Sequence, residues 1–292
     1  LELKHADAHM GSFVCSICRS TTELGLSGAL KNLAGFVTHP ICDAAKHLGG
    51  IWARNFPEQL AQILYLPQNV NTPGAVRFIA AEYQRLRGEL EKKAGRASDD
   101  ESLRASLRIY NRNRALLREL YAIRRDEPWK LSCTESYLLT RARTRIPAEE
   151  HNALLERAIP AIRARKRQAQ DKPRVVFVGG FCEQPPLNLI KSIEMSGCYI
   201  VDDDFMLVTR WLLDEVPADG KPLEELSKAF LHRSASTAAK YDAKREDKGQ
   251  YLLKQVKTGA AEGVVFAAPS FCDPALLERP MLQDVLAKHK VP

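Results

Sequence analysis

Three cysteines in this chain share one local context. An apolar or β-branched run precedes each of Cys15, Cys42 and Cys272, and an amphipathic helical run follows. A strand–turn–helix unit repeated in this way argues for parallel sheets with helical crossovers. The start of a helix carries a partial positive charge and unpaired N–H groups. A cysteine placed there has its thiolate favoured, which makes it a better metal ligand or nucleophile. Cys15 and Cys42 lie in the stretch Ser12–Gly50, together with Cys18, whereas Cys272 lies far away in PSFCDP (269–274). Two such turns close together and a third at a distance suggest a shared site.

The rest of the chain divides by pattern. Phe36-Val37-Thr38-His39 reads as a short buried strand, followed by Pro40 and a helix beginning near Cys42; Gln62–Leu66 reads as a second strand closed by Pro67. Pro73-Gly74 opens a long helical region. Val76, Ile79, Tyr83, Leu86 and Leu90 recur at helical spacing, as do Leu103, Leu107, Tyr110, Leu117 and Leu120 after a polar break at 97–100. A third helix is expected from Pro147 to Gln170, and no strand between Gly74 and Lys172.

After Pro173 strands return. Arg174–Val178 is a buried strand with its turn at Gly179–Cys182, Pro186–Ser196 is a helix, and Cys198–Val201 is a strand running into Asp202-Asp203-Asp204. Gly263–Ala267 is a further strand, leading into PSFCDP and a helix from about Pro274. The expected fold is α/β, with two doubly wound, Rossmann-like lobes of parallel sheet: residues 1–72 and 173–292, joined by a helical segment over 73–172. In such sheets ligands sit beyond the carboxyl ends of the strands. Cys15, Cys42, Gly179–Glu183, Asp202–Asp204 and Ser270–Asp273 all fall at those edges.

Composition narrows the function. The 292 residues, 45% of them hydrophobic, can bury a large core. The net charge of +7 is spread over Lys and Arg placed beside Glu and Asp, as in RLRGELEKK (85–93) and RDEPWK (125–130). That reads as solvated helix faces or contact with an acidic ligand such as a nucleotide-tailed thioester, not as a nucleic-acid surface. No apolar run reaches the ~18 residues of a membrane span, and the first residues do not form a secretory signal. Seven irregularly spaced cysteines do not make a disulfide framework, so a reducing cytoplasm with some cysteines on metal is expected. No P-loop occurs, and Gly179-Gly180 does not complete a dinucleotide fingerprint.

Each constellation has a plainer reading beside the chemical one. Free cysteines are often buried as small apolar side chains, and spacing alone leaves that open against metal binding. Cys15 and Cys18 form a lone C-x-x-C, compatible with a redox dithiol, while no second close pair completes a structural zinc site. Asp202–Asp204 could hold magnesium or a hydrogen-bond donor, but such a run more commonly caps a helix and faces solvent, here at Phe205. His39 and His47 lie near Cys42 and could supply protons, although a surface or hydrogen-bonded histidine is the commoner case.

Taken together, ADAHMGSFVCSICRS (6–20), THPICDAAKHLGGIWARNFP (38–57), GGFCEQPPL (179–187) with VDDDF (201–205), and PSFCDP (269–274) resemble the benzoyl-CoA reductase and 2-hydroxyacyl-CoA dehydratase family. Within it the chain looks most like the small cluster-bearing C-type (gamma) chains of ATP-dependent benzoyl-CoA reductases. The resemblance implies a 4Fe-4S cluster held by Cys15, Cys42 and Cys272 in the cleft between the lobes, with one iron left open. Its motifs fall here on Cys15 with Arg19, on Cys42-Asp43 and on Phe271–Pro274. Cys18 stands where the family is usually apolar, and Cys182 would sit beside the cluster without ligating it. The implied activity is ATP-dependent transfer of low-potential electrons that dearomatises benzoyl-CoA to a cyclohexadiene carbonyl-CoA. The alternatives are a 2-hydroxyacyl-CoA dehydratase subunit or a non-catalytic assembly subunit with buried cysteines. Implied partners are a homologous cluster-bearing subunit, ATPase activator subunits with their own iron–sulfur cluster and the only ATP and magnesium, ferredoxin as electron donor, and an acyl-CoA substrate. Neither nucleic acid nor membrane is expected. Family members also carry a segment before Leu1 and a strand and helix after Pro292, so a longer chain is expected at both ends.

Overall fold

The computed structural model describes residues 2–67, 69–179, 185–205, 208, 214–233 and 249–292. Its first part runs α1 (Ser16–Leu26), β1 (Gly35–Thr38), α2 (Asp43–Asn55) and β2 (Leu60–Ile63). The two strands pair in parallel, Gly35 opposite Leu60 and Thr38 opposite Ile63, with α2 as the crossover. Trp52 of α2 locks this unit: it stacks on Phe36 at 4.4 Å, touches Phe56 at 4.6 Å, and its indole N–H donates to Gln59 at 2.8 Å.

β2 lies earlier than the pattern over Gln62–Leu66 predicts, for a reason of partners. β1 stops before Pro40, which has no N–H to offer a ladder. Beyond Ile63 the Leu64 N–H makes a last bond to β1, at the Thr38 carbonyl 2.8 Å away, and the backbone then turns to side chains: the Leu64 carbonyl meets the His39 ring at 3.2 Å, and the Tyr65 N–H donates to Glu82 at 3.1 Å.

The middle is helical, as α3 (Ala75–Ala94), α4 (Asp100–Asp126), α5 (Cys133–Ala142) and α6 (Ala148–Arg163), and no strand interrupts it among the described residues. Leu116, Leu117 and Leu120 of α4 pack against Leu155, Ile159 and Ile162 of α6. Sequence pattern missed α5. Its start is a capping box, in which Ser132 accepts the Glu135 N–H at 3.1 Å and Glu135 accepts the Ser132 N–H at 3.0 Å. α6 also ends seven residues before the expected Gln170. Past it, Arg165 and Arg167 reach back to the Glu135 carboxylate at 2.9 and 3.2 Å.

The last part holds β3 (Arg174–Val178), α7 (Leu187–Met195), β4 (Tyr199–Asp203), α8 (Pro222–Arg233), α9 (Gln250–Thr258), β5 (Gly263–Phe266) and α10 (Asp273–Lys288). Strand order is β4-β3-β5, all parallel. Side chains alternate along a strand, and β3 uses both faces. Val176 and Val178 pack on α9 and α10 through Leu252, Val256, Leu282 and Leu286, while Val175 and Phe177 pack on Cys133 of α5 and Ile190 of α7. The fold is therefore α/β with parallel sheets. Strand order reverses at β3, which makes its carboxyl end a switch point of the kind where ligands bind. Gly179 leaves that end at φ +109° against the Ala267 backbone, where a side chain would collide. The rest of the expected turn, Gly180–Glu183 with Cys182, lies outside the described residues. No described helix is long and apolar enough to cross a membrane.

Candidate functional site

Cys15, Cys42 and Cys272 occupy the same position on three different helices. Each is the N-cap residue, of α1, α2 and α10 respectively. Cys42 and Cys272 follow strands, as their context predicts. Cys15 does not: a 3₁₀ turn (Ala6–Ala8) and a loop precede it where a strand was expected. Buried Glu23 of α1 holds that turn by accepting the His5 and Ala6 N–H groups at 2.7 and 2.9 Å. Arg19 is tied to Asp7 at 2.5 Å.

The three cysteines line one cavity of about 590 Å³, and Cys18 lines it with them. Cys18 sits one turn into α1 from Cys15, and the two pack with Met10 and Leu48. Phe271, Leu277 and Val37 supply apolar wall around the thiols. Phe271 holds a left-handed φ of +58°, and its ring is largely exposed beside Cys272. Such a backbone costs free energy in a non-glycine residue and persists only where the surroundings enforce it.

The sulfurs sense one another. A hydrogen bond from Cys18 pulls the Cys15 thiol down to about 6, against burial, which pushes it up; backbone N–H groups of Cys18 and Ile17 add to the lowering. Cys18 is raised in return, by that same bond, by burial, and by the charges of Cys15, Cys42 and Cys272. Burial raises Cys42, and so do Cys15 and Cys272, although the Ala45 N–H donates to its sulfur at 3.4 Å. His39 also lines the cavity; burial lowers its pKa, and its ring is bonded to the Leu64 carbonyl. His47 lies on the exposed face of α2, away from the lining.

The donor set is soft: four sulfurs, each on or next to a helix N-terminus whose dipole favours negative charge. Among the described residues no three His, Cys, Asp or Glu side chains are grouped to hold a single metal ion. Ligands of one tetrahedral ion sit within ~4 Å of each other, from a Zn–S bond of ~2.3 Å. A polynuclear group spreads its ligating sulfurs over a wider frame.

Asp202–Asp204 depart from the solvent-facing capping expected of them. All three are buried. Asp203 accepts from Tyr121, Arg124 and the Phe205 N–H, Asp204 accepts the Gly179 N–H at 3.1 Å, and Asp202 accepts from Gln255 at 3.2 Å. The helix expected after Phe205 lies almost wholly outside the described residues. The network fixes the carboxyl ends of β3 and β4, and pattern reading missed its partners on α4.

The family model for "2-hydroxyglutaryl-CoA dehydratase, D-component" matches residues 1–292. The chain is 52% identical to a subunit of benzoyl-CoA reductase from Thauera aromatica over 292 residues, covering 100% of this chain and 76% of that relative. It is 25% identical to the (R)-phenyllactyl-CoA dehydratase beta subunit of Clostridium sporogenes over 295 residues, covering 100% and 76%. To the (R)-2-hydroxyglutaryl-CoA dehydratase beta subunit of Acidaminococcus fermentans it is 24% identical over 288 residues, covering 97% and 75%. With four thiols at one cavity and these matches along its whole length, the chain belongs to the benzoyl-CoA reductase and 2-hydroxyacyl-CoA dehydratase family.

Proposed function

We propose that this chain is an iron–sulfur subunit of an ATP-dependent benzoyl-CoA reductase. Cys15, Cys42 and Cys272 hold a 4Fe-4S cluster, and the subunit passes low-potential electrons that dearomatise benzoyl-CoA to a cyclohexadiene carbonyl-CoA. One observation carries the reading: three N-cap cysteines, up to 257 residues apart by number (272 − 15), line a single cavity. The 52% identity to a benzoyl-CoA reductase subunit supports the substrate class. Two dehydratase beta subunits among the relatives support a second reading, a 2-hydroxyacyl-CoA dehydratase subunit.

When bound, a 4Fe-4S cluster supplies one-electron transfer at a potential tuned by hydrogen bonds to sulfur and by burial. The chain's own residues set those conditions. The starts of α1, α2 and α10 aim N–H groups and positive dipole ends at the thiolates, and the Ala45 N–H is already on the Cys42 sulfur. Cys15, beside Leu48, and Cys272 are buried, while Cys42 is half-buried. Burial keeps the His39 imidazole neutral near pH 7, so it is not a standing positive charge beside them. The partners in this reading are a homologous cluster-bearing subunit, ATPase subunits that carry ATP, magnesium and their own cluster, and ferredoxin, in the cytoplasm.

The test is the complex prepared without oxygen, with and without Cys15→Ala, Cys42→Ala and Cys272→Ala combined. The expected result is loss of this subunit's cluster signal together with dearomatising activity. Full activity without the signal would overturn the proposal. ATP consumed in proportion to product supports the reductase, whereas ATP needed only in catalytic amounts supports the dehydratase.

A further inference from the structure

Ligands of parallel sheets sit beyond the carboxyl ends of the strands, and the sheet of β1 and β2 carries two cavities along that edge. The thiol cavity takes part of its wall from Val37, Thr38 and His39, at the end of β1. A second cavity, of about 720 Å³, is walled by Tyr65, Leu66 and Pro67, just past β2, and by Arg77 and Phe78 of α3. One contact joins the two. The His39 ring, in the first wall, meets the carbonyl of Leu64, which precedes Tyr65 in the second.

The second cavity presents two aromatic rings and a cation. Tyr65 is 44% exposed and Phe78 48%, apolar surface that folding leaves in water. Arg77 is exposed and makes no ion pair among the described residues, whereas Arg85, two turns further along α3, is held by Glu82 at 2.9 Å. Glu82 also accepts the Tyr65 N–H at 3.1 Å, which fixes the tyrosine's backbone. With Arg85 on it, that carboxylate adds no net charge to the wall. Aromatic rings are platforms on which a planar base stacks, and a guanidinium matches the geometry of phosphate. Two rings and a free guanidinium therefore fit a phosphorylated nucleotide. The adjoining thiol cavity fits a ligand long enough to reach both.

We propose that Tyr65, Arg77 and Phe78 bind the adenine nucleotide end of the acyl-CoA thioester, whose chain runs past His39 toward the thiols. The base lies on the two rings, and Arg77 pairs with a phosphate. This rests on the proposed acyl-CoA chemistry and deepens it, because it gives this subunit a share in holding the substrate. No bond is made or broken at the site.

The experiment uses the complex with the wild-type chain and with Tyr65→Ala, Phe78→Ala or Arg77→Ala, and titrates coenzyme A and ADP into each by calorimetry. Each variant is expected to weaken coenzyme A binding about tenfold, the scale of one stacked ring or one charged pair. In turnover the KM for benzoyl-CoA should rise by the same factor. The KM for the benzoyl thioester of pantetheine, which lacks the nucleotide, should keep its wild-type value. Arg77→Lys, which retains the charge, should recover part of the loss. Absence of coenzyme A binding to the wild type, or equal affinity in all variants, would overturn the proposal. So would weaker ADP binding with coenzyme A unmoved, which marks a site for free nucleotide, or dissociation of the complex, which marks a subunit contact. A wild-type complex that binds coenzyme A without reducing benzoyl-CoA would remove the reductase reading, and the titration would still decide the site.

Discussion

Arg124 and Asp203 meet across 79 residues of sequence in an ion pair of 2.5 Å, their side chains 1% and 0% exposed. The pair fastens α4 to the end of β4. Tyr121 adds its hydroxyl to the same carboxylate at 3.0 Å, and the guanidinium lies 4.2 Å from the Tyr121 ring centroid. Asp203 also takes the Phe205 N–H at 2.9 Å, so its two oxygens serve three donors, two of them on α4.

Breaking that pair from one side should be costly. Asp203→Asn leaves the buried Arg124 charge with only Asp202, at 4.0 Å among the described residues, to balance it, and removing one partner of a buried pair typically costs ~3–5 kcal/mol. Urea unfolding of the variant should show a loss of that order, and adding Arg124→Met should return part of it. A loss below ~1 kcal/mol would mean the pair contributes little to holding α4 on the sheet.

Asp202 should make stability depend on pH in the opposite sense to most carboxylates. Burial raises it from 3.8 to about 6, against the lowering pull of Arg124, and the neighbouring Asp203 adds to the rise. Between those values the folded chain holds a proton that the unfolded chain has released. Stability from this group is therefore full below about pH 4 and is lost as pH rises through about 6, by up to ~3 kcal/mol. Asp202→Asn should flatten that part of the profile in denaturant titrations at pH 4 to 7. An unchanged slope would place the titration elsewhere.

Ser132 caps α5 with both halves of a capping box. Ser132→Ala should lower stability by ~0.5–2 kcal/mol, measured as a shift in urea midpoint without a change in slope. Ser132→Gly should cost less than alanine, because glycine is tolerated at that position.

What sequence could reveal followed the range of the interactions. β3 is legible to the residue, because the apolar run Val175–Val178 stands with Arg174 between Pro173 and Gly179. The N-cap cysteines are legible as helix starts, because a cap is a local event. No strand precedes Cys15: Phe13 and Val14 belong to a loop that follows a 3₁₀ turn, and that turn is held by Glu23 of α1 through the His5 and Ala6 N–H groups, a contact no short window contains. The burial of Asp202–Asp204 was hidden for the same reason, since Arg124 and Tyr121 come from the helical middle. α5 was overlooked although Ser132-x-x-Glu135 announces it. Cys18 looked incidental because a lone C-x-x-C is a weak signal until the other two thiols are seen in the same cavity.

The central claim is that sulfurs from α1, α2 and α10 grip one inorganic cluster. Iron and acid-labile sulfide, counted in the anaerobic wild-type complex and in one whose Cys15, Cys42 and Cys272 are alanine, test it most directly. The variant should lose about four irons and four sulfides per copy of this chain, with the other clusters of the complex untouched. Equal counts in the two preparations would contradict it.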